Sequence, residues 1–291
     1  MIVDVYEKIE ATTKRLEMTD YLVSLFSKTP KEIIDKVVYL TQGKLYPDYV
    51  GIELGVAEKL TMRAIAIASG LSLKEIENEY KKTGDIGLAA EKALKRKRVG
   101  TLMDFFGATS KIGKLTVQQV YETLDRIAKA TGAGSQDTKI RLLVSLLKRA
   151  TPREAKYLVR TVTGRLRLGI ADMTILDALA IAFCKTKDVR PAIERAYNIS
   201  SDLGAVAKVL AYEGLEGIKK FRITVGRPIR PMLAERLSSA EEILEKLGGK
   251  CAAEYKYDGE RVQAHKKGDE VTLFSRRLET VSYTHLTLPT N

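Results

Sequence analysis

Residues Glu254-Tyr255-Lys256-Tyr257-Asp258-Gly259-Glu260-Arg261 carry the clearest chemistry in this chain. A lysine at a strand end, followed by an Asp-Gly turn and an arginine five residues on, places an amine and a guanidinium within reach of one pocket. Gly259 permits the tight bend and Asp258 can fix it through an Asx-type bond. A lysine attacks only as the neutral amine, a form favoured by cations such as Arg261, by a bound metal ion and by partial burial. The matching electrophile is one whose developing negative charge those same cations stabilise, and a nucleotide α-phosphate fits that description. By residue type alone, the same eight residues also make a surface hairpin closed by a salt bridge.

The elements around this octapeptide read as β structure. Strands are predicted over Ala252 to Tyr257, Arg261 to His265 and Glu270 to Ser275, with a Lys267-Gly268-Asp269 turn between the last two. Before them, a short helix over Ala240 to Leu247 should end at Gly248-Gly249. The proline-bearing stretch from Arg222 to Ala234 reads as an extended linker or domain entry.

From residue 1 to about 220 the texture is helical. Apolar residues recur at spacings of three and four, as in Tyr21, Leu22, Leu25, Phe26 and again in Leu142, Leu143, Leu146, Leu147. Thr29-Pro30, Ser72, Thr116 and Thr151-Pro152 read as helix starts, and Gly43, Gly70 and Gly164 as helix ends. The region also repeats itself, over about 13–94 and 138–210. Leu22-Val23-Ser24-Leu25-Phe26 returns as Leu143-Val144-Ser145-Leu146-Leu147, Gly55 to Ala68 as Gly169 to Ala182, and Tyr80, Asp85 and Gly87 as Tyr197, Asp202 and Gly204. Two copies of one helical unit are predicted to pack as a pseudo-twofold pair, a symmetry shared by the backbone of a nucleic-acid duplex. Duplication without functional meaning is the plainer alternative.

Charge points the same way. The 291 residues carry a net +12, which favours a polyanionic partner. Between Lys139 and Arg167 nine basic residues face Glu154 alone. A second cluster runs through Lys92, Lys95, Arg96, Lys97 and Arg98. Thr131 to Asp137 forms a glycine-rich turn feeding a helix, whose backbone N–H groups suit a phosphate. Base-stacking aromatics are sparse in these clusters, so sequence-independent contact with a duplex backbone fits better than single-strand binding. The candidate DNA-contacting residues are Gly132, Gly134, Ser135, Lys139, Arg165 and Arg167.

Other classes fall away. Two cysteines, Cys184 and Cys251, exclude a disulfide framework and a Cys-based zinc site. The charged N-terminus shows no signal peptide and no apolar run is long enough to span a membrane, so a cytoplasmic location is expected. The last twelve residues, Thr280 to Asn291, hold no Asp, Glu, Lys or Arg, which suggests a non-native or frameshifted tail.

The sequence EYKYDGER, with FSRRLE downstream and RPIRPMLAER upstream, resembles the ATP-dependent DNA ligase family, closest to its archaeal replicative type. The KxDGxR pattern is shared with RNA ligases and mRNA capping enzymes. TGRLRLGIAD and KTGDIGLAAE in the helical repeat resemble the DNA-binding domain that precedes the adenylation domain in the ligases. The resemblance covers residues 1–279 and implies a multidomain chain, α then α+β. An all-α pseudo-twofold DNA-binding domain would occupy 1–222, and the incomplete start of an ATP-grasp-like nucleotidyltransferase (adenylation) domain 223–279, before the tail at 280–291. It implies that Lys256 forms a lysyl-AMP, with Glu254 at the adenine end, Arg261 and Arg276 on ribose or phosphates, and Asp258 and Gly259 shaping the loop. The implied cofactors are ATP and Mg2+, with metal ligands expected in the missing part. Nicked duplex DNA and a sliding clamp are the implied partners. Family members run to roughly twice this length, so a truncated ligase is expected. A non-catalytic duplex-binding module and an RNA-ligase or capping-type nucleotidyltransferase are the alternatives.

Overall fold

The computed structural model describes residues 1–100, 114–166, 168–232 and 234–281, and the side chains of all of these except 97–100. Among the described residues, everything before the linker is helical: α1 (Ile2–Glu10), α2 (Arg15–Lys28), α3 (Ile34–Thr41), α4 (Glu58–Ser69), α5 (Leu73–Thr83) and α6 (Ile86–Gly100). After these come α7 (Val117–Lys129), α8 (Ser135–Arg149), α9 (Pro152–Val162), α10 (Asp172–Cys184), α11 (Arg190–Ser200) and α12 (Leu203–Lys219). The predicted starts at Ser72, Thr116 and Thr151 are capping boxes, in which the cap hydroxyl accepts from the N–H three residues on and the Glu or Gln there accepts from the cap N–H. Thr29 is different. Its hydroxyl donates back to the Leu25 carbonyl at 2.8 Å, so it closes α2, and Lys31–Ile33 forms a 3₁₀ turn before α3.

The helices bury two separate cores. The first joins Leu22, Leu25 and Phe26 of α2 and Ile34 and Val38 of α3 to Ile175 and Leu179 of α10, Ile193 of α11 and Val206 of α12. The second joins Ile65 of α4, Ile76 of α5 and Ile86 of α6 to Leu143 and Leu146 of α8 and Val159 of α9. Each core therefore takes its leading helices from one sequence repeat and its trailing helices from the other. In detail α2 packs on α10 and α8 on α4, while α3 packs on α12 and α9 on α6.

Beyond the linker lie α13 (Ala240–Lys246), β1 (Gln263–Lys267), β2 (Glu270–Phe274) and β3 (Thr280–Val281), the strands forming one antiparallel sheet in the order β1-β2-β3. The hairpin register pairs Gln263 with Phe274 and Lys267 with Glu270. The strand predicted over Ala252 to Tyr257 does not form: that stretch is irregular and exposed throughout. Alternating residues make a strand only beside a hydrogen-bonding edge and over a surface that buries one face, and Tyr255 and Tyr257 are 87% and 85% exposed. Of the suspected tail, Thr280 and Val281 are part of the sheet and residues 282–291 lie outside the described ones. No helix of the described residues is long and apolar enough to cross a membrane.

Candidate functional site

The octapeptide turns where predicted. Gly259 adopts φ 146°, within the region that favours glycine, and its N–H donates to Asp258 Oδ1 at 3.0 Å. Tyr255 and Tyr257 flank Lys256 with their ring centroids 6.4 Å apart. Glu254, Lys256, Arg261 and Arg276 are all exposed. None of them lines the cavities of about 240, 980 and 450 Å3 found in the helical domain and beside Glu279 and Thr280. The described residues thus bring the motif together along the chain but do not enclose a nucleotide. Nor do they group three or more His, Cys, Asp or Glu side chains closely enough to hold a metal ion.

In the helical region, Gly132 and Gly134 are exposed in the turn that opens α8 at Ser135. Gly134 is the cap, at φ 76°, with no side-chain cap, and the Ser135 N–H donates to the Gly132 carbonyl at 3.2 Å, so the remaining first-turn N–H groups of this 15-residue helix lack an intrahelical acceptor. Lys139 is half-buried on α8. Arg165 follows α9, where it ion-pairs with Glu58 and donates to the Tyr80 hydroxyl at 3.1 Å. Arg167 lies outside the described residues.

The basic cluster itself is divided. Arg153, Lys156 and Arg160 line one face of α9 and meet Asp4, Glu7 and Glu10, spaced by three along α1. Arg160 also reaches Asp85 at 2.7 Å. Burial pushes the Asp85 carboxyl up, but its hydrogen bonds to Arg160 outweigh this and hold it below the usual carboxylate range. Four of the nine basic residues, Arg165 with Glu58 among them, are therefore ion-paired within the protein. The cluster at the end of α6 is spent in part the same way, with Lys92 and Arg96 on Glu79 and Lys95 on Glu91, and the side chains of Lys97 and Arg98 outside the described ones.

What remains is a stripe along α8. Arg141, Ser145 and Lys148, spaced by four and three, are exposed on one face, and neither Arg141 nor Lys148 has an ion pair among the described residues. The i, i+4, i+7 spacing of these three was visible in the sequence and is a sharper signal than the cluster's total charge.

Residues 1–180 match the family model described as DNA ligase N terminus, and residues 231–290 match ATP dependent DNA ligase domain, a match that runs across most of the uncharged tail. DNA ligase 2 of Thermofilum pendens is 62% identical over 283 residues, covering 97% of this chain and 47% of that protein. The probable DNA ligase of Aquifex aeolicus is 55% identical with the same coverage. The DNA ligase of Nitrosopumilus maritimus is 53% identical over 282 residues, again covering 97% of this chain and 47% of its own length. The chain spans about half the length of the curated relatives it matches.

Proposed function

Because the chain belongs to the ATP-dependent DNA ligase family, we propose that it serves nick sealing in duplex DNA, contributing the DNA-holding domain (1–222) and the opening of the adenylation domain (223–279). The carrying observation is that both family models succeed one another on a single chain, the second containing Lys256. Lys256 Nζ attacks the α-phosphorus of ATP. The N–P bond forms as the bridging P–O bond breaks, pyrophosphate leaves and Nζ loses a proton. The 5′-phosphate at the nick then takes AMP from the lysine, and the 3′-hydroxyl displaces AMP to form the phosphodiester. Glu254 serves the adenine end, Arg261 and Arg276 the ribose or phosphates, and Asp258 and Gly259 the loop. In this reading the pocket is completed by the part of the family that this chain does not span.

On the DNA side, the start of α8 at the exposed Gly132 and Gly134 and the half-buried Ser135, with Lys139 and the stripe of Arg141 and Lys148, lies along the phosphate backbone. Arg165 and Arg167 belong to the same proposed surface. Reciprocal packing of the two repeats supports a pseudo-twofold arrangement: α2 on α10 is matched by α8 on α4, and α3 on α12 by α9 on α6. A sliding clamp as partner rests on the family resemblance alone.

The exposure of Lys256 favours one second reading, a duplex-binding module without catalysis. Incubation with α-labelled ATP and magnesium separates the two. Acid-labile AMP that disappears in Lys256→Ala supports the ligase reading. Absence of label together with salt-dependent binding of nicked duplex supports the module, and preference for structured RNA over nicked duplex removes both.

A further inference from the structure

The residues between α12 and the hairpin form a strap held on two sides. On the helical side, Ser201 Oγ donates to the Pro228 carbonyl at 2.5 Å and the Arg230 N–H to the Asn198 carbonyl at 2.8 Å. On the hairpin side, the Ile229 N–H donates to Gln263 Oε1 at 2.9 Å, while Gln263 Nε2 donates back to the Ile229 carbonyl at 2.5 Å. The Gly226 N–H donates to His265 Nδ1 at 2.9 Å. An extended chain alternates its faces, so neighbouring residues 229 and 230 serve opposite bodies.

The side chain of Arg230 enters a shaped place. Its Nη1 donates to the Tyr197 hydroxyl at 2.7 Å, its Nη2 meets Asp172 Oδ2 at 3.1 Å, and its guanidinium carbon stands 4.3 Å from the Tyr197 ring centroid. The Tyr197 hydroxyl in turn donates to Asp172 Oδ2 at 2.8 Å. The same three-part arrangement occurs at the corresponding positions of the first repeat. There Glu58 opens α4 as Asp172 opens α10, Tyr80 stands for Tyr197, and the arginine is Arg165 from within the helical domain. One socket is filled internally. The other is filled from the strap.

We infer that Arg230 is a latch: it docks the strap into a guanidinium socket built by Asp172 and Tyr197, and thereby sets the position of the β hairpin relative to the helical domain. Arg230 is a positioning residue, acting on the Lys256 region only through the strap. Its consequence for nick sealing rests on the function proposed above, whereas the docking itself does not.

The test measures position, not catalysis, so its failure is distinct from failure of the ligase reading. Spin labels at Lys187→Cys, after α10, and Val271→Cys, on β2, in a Cys184→Ser, Cys251→Ser background report the distance between the two bodies by pulsed dipolar spectroscopy. The parent should give one narrow distribution. Arg230→Ala should at least double its width, and Arg230→Lys, which keeps the charge on Asp172 without the planar fork, should restore part of the order. Arg165→Ala should leave the width unchanged. Should Arg230→Ala disturb folding by circular dichroism, Tyr197→Phe removes only the hydroxyl and should give intermediate broadening. An unchanged width in a folded Arg230→Ala or Tyr197→Phe protein overturns the inference, as does equal broadening by Arg165→Ala.

Discussion

Gly204 sits in the first turn of α12, where α3 crosses so closely that a Cβ placed on it would stand 2.3 Å from Tyr39 Cζ and 2.6 and 2.7 Å from the two Cε atoms. Glycine to alanine in a helix ordinarily stabilises by up to about 1 kcal/mol. Here the sign should invert. The Tyr39 ring must retreat by about 1 Å to restore van der Waals contact, an overpacking change that costs about 1–3 kcal/mol. Retreat also stretches the 2.5 Å bond from the Tyr39 hydroxyl to Asp202 Oδ1, and a hydrogen bond to a charged group is worth about 1.5–3 kcal/mol. Some of that bond survives relaxation, so the net expectation for Gly204→Ala is a loss of about 2–4 kcal/mol, or roughly 5–15 °C in Tm for a domain of this size. The corresponding glycine of the first repeat, Gly87, faces the backbone carbonyl of Lys156 at 2.7 Å and Arg160 Cγ at 2.8 Å, so Gly87→Ala should destabilise by about the same amount. Gly55 meets nothing within 4 Å, and Gly55→Ala should be neutral or stabilising by about 0.5 kcal/mol. Urea unfolding followed by far-ultraviolet circular dichroism reads all three. A Gly204→Ala protein as stable as the parent would refute the reasoning, because it would mean that α3 and α12 do not approach as described.

Arg160→Ala strands Glu10 and Asp85 at a poorly exposed contact and should cost about 3 kcal/mol at neutral pH, read by the same urea titration. Asp4, Glu7 and Asp85 all have folded carboxyls held below their ordinary values, so the stability they confer is present above about pH 4 and is lost as pH falls through their depressed folded values. Acid titration of the parent should therefore show a steeper loss below pH 4 than titration of Arg160→Ala, which releases Asp85; parallel curves would count against the Arg160–Asp85 pairing. Arg141→Ala with Lys148→Ala should weaken duplex binding and reduce the slope of log affinity against log salt by about 2, while Arg153→Ala leaves that slope unchanged. Equal slopes for the double variant and the parent would place the DNA face elsewhere. Thr151→Ala removes the hydroxyl half of the capping box on α9 and should cost about 1 kcal/mol in thermal unfolding.

Local signals in this chain translate well into local structure. Ser72, Thr116 and Thr151 cap helices because the bond they make closes within three residues and needs no knowledge of the fold. The Gly248-Gly249 stop follows for the same reason, with the Gly249 N–H donating to the Leu244 carbonyl at 2.7 Å. Signals that depend on a partner translate less well. Ala252 to Tyr257 has the alternation of a strand but no edge beside it. The exchange of helices between the two cores was not legible at all, since a repeat found in sequence says that two units are alike and not which helix of one covers which helix of the other. Gln263 is the same kind of case: a polar residue at the start of β1 whose amide substitutes for a backbone ladder, paired with Ile229 through both its donor and its acceptor.

Charge shows most plainly what a linear count omits. Nine basic residues in one stretch look like a single binding surface, yet a helix turns 100° per residue and divides them by face. On α9 the basic face meets an acidic face whose residues, Asp4, Glu7 and Glu10, lie nearly 150 positions earlier. On α8 the face bearing Arg141 and Lys148 is exposed and meets no carboxylate among the described residues. The distinction is electrostatic as well as geometric: a cation already neutralised by carboxylates neutralises no phosphate and displaces none of the cations condensed on a duplex, so Arg153, Lys156 and Arg160 contribute little to polyanion affinity even where they touch solvent. A polyanion surface should therefore be sought among basic residues that fold-wide pairing leaves over, and in this protein that criterion moves the expected contact from the middle of the cluster to its beginning, on the helix that opens at Ser135.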